Sequence, residues 1–114
     1  MLTHYPLRNN LGYALHNAGR LEEALEQFKL ALVVRQKESE VRSIRVAHSM
    51  MAWTLRGLLR FDEAITLQLQ LETEWNADGH PDPYVYEELV ALFEATGDDT
   101  KAAEYRGKHR ATKL

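Results

Sequence analysis

The 114-residue sequence predicts an all-α fold: a right-handed α-α superhelix, or solenoid, of three antiparallel helix hairpins and six helices. Three observations lead there. Apolar residues recur at helical spacing, first as Leu11, Ala14, Leu15 and Ala18, then as Leu21, Ala24, Leu25, Phe28 and Leu32. Gly19 stands between the two stripes, where a helix takes a left-handed residue in order to stop. The pattern then repeats: Arg8 to Ala24 aligns without gaps with His48 to Ala64 and with Tyr86 to Ala102. Leu11, Met51 and Leu89 coincide, as do Leu15, Leu55 and Phe93, and Ala24, Ala64 and Ala102, at periods of 40 and then 38 residues. Two short helices cannot bury their stripes alone, so each hairpin is expected to stack on the next.

Taken in order, Met1 to Tyr5 reads as a loose lead-in, with Thr3 or His4 near the cap and Pro6 in the first turn of the first helix. Leu2, Tyr5 and Leu7 are expected to fold back on the first hairpin, or else to serve self-association through an open end. The second helix, roughly Arg20 to Glu38, carries Glu22, Glu23 and Glu26 early and Lys29, Arg35 and Lys37 late. These charges suit the helix dipole and read as a solvated face. Ser39 is the candidate cap of the third helix, whose stripe of Ile44, Ala47, His48, Met51, Ala52 and Leu55 puts His48 on the packed side.

The fourth helix, Phe61 to about Ala77, is apolar over a wide arc through Phe61, Ala64, Ile65, Leu67, Leu69, Leu71 and Trp75. It is expected to be covered on two sides, or to offer Leu67, Leu69 and Trp75 to an intermolecular contact. Gly79 stops it. In the spacer from His80 to Pro83, Asp82 caps and Pro83 opens the fifth helix. That helix ends at Gly97, and Asp98 and Asp99 start the sixth, whose stretch from Arg106 to Lys113 is basic and nearly devoid of apolar residues. Such a face suits a terminal repeat that meets water.

A single domain over 1–114 holds repeats at about 5–38, 40–77 and 83–112, leaving no room for a second domain. A hydrophobic share of 45% against 27% charged residues is that of a folded chain. The net charge of −3 supplies no global field for nucleic acid or an anionic membrane, so neither is expected as a partner. The absence of cysteine excludes disulfides and thiolate chemistry and is compatible with a reducing compartment. With no apolar run long enough to span a membrane, and a start lacking a basic region followed by an apolar stretch, a cytoplasmic location is the expectation.

Nothing in the chain assembles into catalytic chemistry. The histidines at 4, 16, 48, 80 and 109 are too widely spaced for a local metal motif. Glu22-Glu23, Asp62-Glu63 and Asp98-Asp99 all fall at helix starts, where capping and the dipole account for them. The six glycines form no phosphate-cradling loop and no serine sits in a nucleophile elbow. No enzyme, no cofactor and no metal are expected.

At Leu11-Gly12, Leu15, Gly19, Leu21, Ala24, Phe28 and Ala31 the chain resembles the tetratricopeptide repeat family. Its period exceeds that family's usual length of about 34 residues. In this it is similar to the longer variant of kinesin light chains and many bacterial repeat proteins, whose Gly-His-Pro-Asp spacer matches Gly79, His80, Pro81 and Asp82. Four positions depart from the pattern: Leu59 stands at a turn glycine, Gly57 comes two residues early, Gln68 replaces the aromatic, and Asp99 replaces an apolar residue.

The resemblance implies a protein-interaction scaffold, in which the first helix of each pair lines a concave groove for a peptide or helix of a partner. Carried over position by position, the lining is Asn9, Asn10, Tyr13, His16 and Asn17, then Ser49, Met50, Trp53 and Arg56, then Tyr84, Glu87, Glu88, Ala91 and Glu94. Asparagines offer a bound backbone both donor and acceptor, and an aromatic beside an arginine suits a hot spot. Trp53 and Met50 could equally cover the adjacent hairpin and bind nothing. Asn9 and Tyr13 replace the basic residues with which some members hold a chaperone's C-terminal carboxylate, and Glu87 and Glu88 oppose an anion, so such tails are not expected as ligands. The other readings are a homo-oligomerisation module, such as a homodimer through the apolar end or the fourth helix, and a fragment of a larger regulator or assembly factor.

Overall fold

In the computed structural model, residues 4–38 and 40–113 are described, with side chains from residue 10 onward. Among them are six helices and no strand: α1 (His4–Asn17), α2 (Leu21–Lys37), α3 (Val41–Gly57), α4 (Phe61–Ala77), α5 (Pro83–Ala95) and α6 (Asp99–Ala111). The expected fold-back of Leu2, Tyr5 and Leu7, a cap at Thr3 and the cap at Ser39 fall outside the described residues and side chains. Glu40 is the residue that precedes α3, and its side chain makes no capping bond. Asp82 and Asp98 cap as their positions suggest, accepting from the amides of Tyr84 at 3.0 Å and Lys101 at 3.1 Å.

Four of the five connections end a helix in the same way. Gly19, Leu59, Gly79 and Gly97 adopt positive φ. The amide of the following residue, Arg20, Arg60, His80 or Asp98, returns to a carbonyl five residues back. This satisfies the orphan acceptors of a helix C-terminus. Leu59 pays the steric cost that glycine avoids, at φ 62° with 72% of its surface exposed.

The helices fall into two compact units, one ending at Arg60 and one beginning at Phe61. In the first, α2 lies against both α1 and α3. Gly12 lets α1 and α2 come close: a Cβ there would stand 2.6 Å from the Phe28 ring, and Phe28 itself is fully buried. Ala24, Leu25 and Ala31 complete the buried side of α2. Arg35, expected among the solvated charges, is instead completely buried, and its Nη1 donates to the Ser43 carbonyl in the first turn of α3 at 2.5 Å. The guanidinium thus ties α2 to the start of the next helix.

The stripe read on α1 is only partly packed. Leu15 is half-buried, whereas Leu11 is 48% exposed and Ala14 and Ala18 are exposed. The second unit supplies the reason. There α5 has α4 on one side and α6 on the other, and Leu89 and Leu92, which correspond to Leu11 and Ala14, are fully buried. Among the described residues of its own unit, α1 has no helix on that side. The core of the second unit is Leu71, Val85, Tyr86, Leu89, Phe93, Ala102 and Tyr105, with Ile65, Trp75 and Val90 packed against it. Of the apolar residues on α4, Leu69 is 37% exposed, while Leu67 and Trp75 are half-buried.

A polar clasp joins α4 to α6. The Tyr105 hydroxyl donates to Glu72 Oε1 at 2.8 Å, Lys108 Nζ donates to Glu72 Oε2 at 3.1 Å, and the same ammonium lies 4.5 Å from the centre of the Tyr105 ring. Burial, followed by the bond to Glu72, pushes the Tyr105 phenol up to about 12.

Candidate functional site

In the first unit the structure brings together three aromatic rings assigned to the partner-binding set. His16 on α1 stacks on Trp53 of α3, with centroids 3.2 Å apart and planes within 6°. Tyr13, one helical turn earlier, lies 5.6 Å from the same indole at a tilt of 32°. Tyr13 is half exposed, and His16 and Trp53 are half-buried, so the cluster has an inner, packed edge and an outer edge in solvent.

Thr54 locks this arrangement from beneath. It is fully buried, and its hydroxyl donates to the Met50 carbonyl of the preceding turn at 2.9 Å. That bond uses its single proton, so at 3.1 Å from His16 Nδ1 the Thr54 oxygen must accept. Neutral His16 is therefore the Nδ1-protonated tautomer, which leaves Nε2 as an acceptor. Burial, with the Arg56 charge adding to it, holds the His16 imidazole below its ordinary value of 6.5. The ring stacked on Trp53 is thus favoured in its neutral form.

Around these rings, Asn10 and Asn17 are exposed, Ser49, Met50 and Arg56 are half-buried, and the Asn9 side chain lies outside the described set. In the second unit, Tyr84 is half-buried and Glu87 is exposed, facing α6 with Oε2 3.3 Å from His109 Nε2. Ala91 is half-buried and Glu94 is exposed, the latter paired to Arg106 at 2.6 Å. Glu88 is buried, so its carboxylate is not offered to solvent as the carried-over lining required.

Sequence reasoning missed Thr54. Its helical spacing from Met50 was visible, but its bond to His16 depends on how α1 and α3 meet. It also missed a pocket of about 330 Å³ between α5 and α6, lined by Glu87, Val90, Arg106, His109 and Arg110. The basic run that lines it was legible, the hollow was not. Among the described residues, no helix is long and apolar enough to cross a membrane, and no group of three His, Asp or Glu side chains could hold a metal ion.

Residues 7–41, spanning α1 and α2, match the family model described as Tetratricopeptide repeat. No curated protein sequence matches the chain. Among solved structures, the chain is similar to the crystal structure of the TPR domain of Arabidopsis FLU, with a TM-score of 0.87 and 17% identity over 96% of this chain and 93% of that one. At that identity the likeness speaks for the fold. The repeat motif over the first hairpin and the six-helix fold over nearly the whole length agree: residues 7–41 carry a tetratricopeptide repeat, and the chain has the fold of a tetratricopeptide repeat domain.

Proposed function

We propose that the chain binds a peptide or helical segment of a partner protein on the face shared by α1 and α3, with Trp53 as the central anchor. The observation that carries this reading is the preorganised aromatic cluster. Trp53 is held flat by His16, His16 is fixed by the buried Thr54, and Tyr13 stands beside them with half its surface in solvent. Rigid aromatic area that is already oriented loses little entropy on binding, which is why such residues dominate hot spots. Exposed Asn10 and Asn17 flank the rings with amide donors and acceptors for a bound backbone, and Arg56 supplies a cation at the rim.

The test is affinity capture from native lysate with wild type and a Trp53→Ala, Arg56→Ala double variant whose helicity is checked by circular dichroism. A partner held by wild type and lost by the folded variant supports the α1/α3 face. Identical capture by both proteins contradicts it.

Self-association is the second reading, favoured by the exposed Leu11, Ala14 and Ala18 on one stripe of α1. A mass that stays monomeric across concentration in sedimentation equilibrium eliminates it.

A further inference from the structure

The repeat itself indicates what the pocket between α5 and α6 is for. The gapless alignment that matches Arg8 to Tyr86 continues through the second helices, so that Ala31, Leu32 and Arg35 of α2 correspond to His109, Arg110 and Lys113 at the end of α6. On the first hairpin this face is occupied. Ala31 and Arg35 are completely buried, α3 lies against α2, and Arg35 donates to the Ser43 carbonyl of the incoming helix. On the third hairpin the corresponding face holds the 330 Å³ pocket, lined by Val90 as its apolar residue, by Glu87, and by Arg106, His109 and Arg110.

We propose that this face is a second docking site, distinct from the α1/α3 face, and that its occupant is an amphipathic helix of a partner protein bearing carboxylates beside its apolar stripe. The helical form follows from the repeat, because a helix fills the equivalent place on the first hairpin. The acidic character follows from charge. Arg106 is neutralised by Glu94 at 2.6 Å and His109 lies 3.3 Å from Glu87. Arg110 and Lys113 are exposed, and among the described residues neither forms an ion pair. The last fifteen residues hold five Lys or Arg against Glu104 alone, in a chain whose net charge is −3. Lys113, at the position of Arg35, is placed to reach a carbonyl or carboxylate in the first turn of the docked helix.

A second copy fits less well. Its α1 would be the helix to dock, since Leu11 and Ala14 are exposed there, but α1 contains no Asp or Glu to meet the exposed Arg110 and Lys113.

The test uses the full chain and two peptides, one with the α3 sequence from Val41 to Gly57 and one with the same sequence carrying Arg42→Glu and Arg45→Glu. The acidic peptide is expected to bind about tenfold more tightly at low salt. It should shift the amide resonances of Val90, Arg106 and Arg110 and lose that advantage against an Arg110→Glu, Lys113→Glu chain. A Trp53→Ala chain should bind it unchanged, which separates this site from the α1/α3 face. Equal binding of the two peptides, no binding of either, or retention by the charge-reversed chain overturns the proposal. So does a concentration-dependent dimer of the unmodified chain that the charge reversal abolishes, because the occupant is then a second copy.

Discussion

Leu59 and Gln68 are two of the positions at which the chain departs from its repeat, and each carries a cost. Leu59 holds a left-handed conformation at φ 62°, where its Cβ crowds the following carbonyl, while Gly19 and Gly97 take the corresponding turns freely. Leu59→Gly is expected to raise the unfolding free energy by about 1 kcal/mol, the relief of strain exceeding the added entropy of the unfolded chain. Urea titration measures it, with a raised midpoint and an unchanged slope as the expected signature. Gln68 is completely buried, and among the described residues neither its Oε1 nor its Nε2 finds a partner. Its counterpart in the first repeat is Phe28. Gln68→Leu, of similar volume, should stabilise by about 1–2 kcal/mol by removing two unsatisfied polar atoms. An unchanged or lowered midpoint for Gln68→Leu would contradict that account.

At the scale of the element, the junction of α1 with α3 is expected to respond to pH. His16 is favoured in its neutral form, so its pKa is lower in the folded chain than in the unfolded one. The stability linked to this group is complete above the unfolded value of 6.5 and is lost as pH falls toward and through the folded pKa. The His16 ring protons should titrate by NMR with a midpoint below 6.5. The wild type should also lose more stability between neutral and mildly acidic pH than a folded His16→Gln variant. A midpoint above 6.5 contradicts the burial argument.

Elements were the most legible level of the sequence. Apolar spacing, turn glycines and acidic helix starts located the helices to within about two residues, the normal ambiguity of helix ends. Coverage was less legible. Periodicity reveals a stripe but not whether a neighbour lies on it, so Leu11, Ala14 and Ala18 read as core and are exposed. Arg35 shows the converse, a charge read as solvated that is buried because it anchors the next helix.

Across the whole molecule, one repeat gives two different surfaces by changing what lies at equivalent positions. Gly12 with Phe28 gives a closely packed first hairpin, whereas Val90 with Arg106 in the same places leaves the third with a pocket. Candidate site residues could be carried over from the family resemblance only as positions. The stacking of His16 on Trp53 and the burial of Glu88 come from how helices meet, which no local pattern encodes.

The central claim is that the α1/α3 aromatic face binds a protein partner, and NMR shift mapping on the isotopically labelled chain with a captured partner segment tests it most directly. The account predicts that the largest changes fall on Tyr13, His16, the Trp53 indole N–H and Arg56. Changes confined to other surfaces, with the Trp53 indole signal unmoved at saturation, would contradict it.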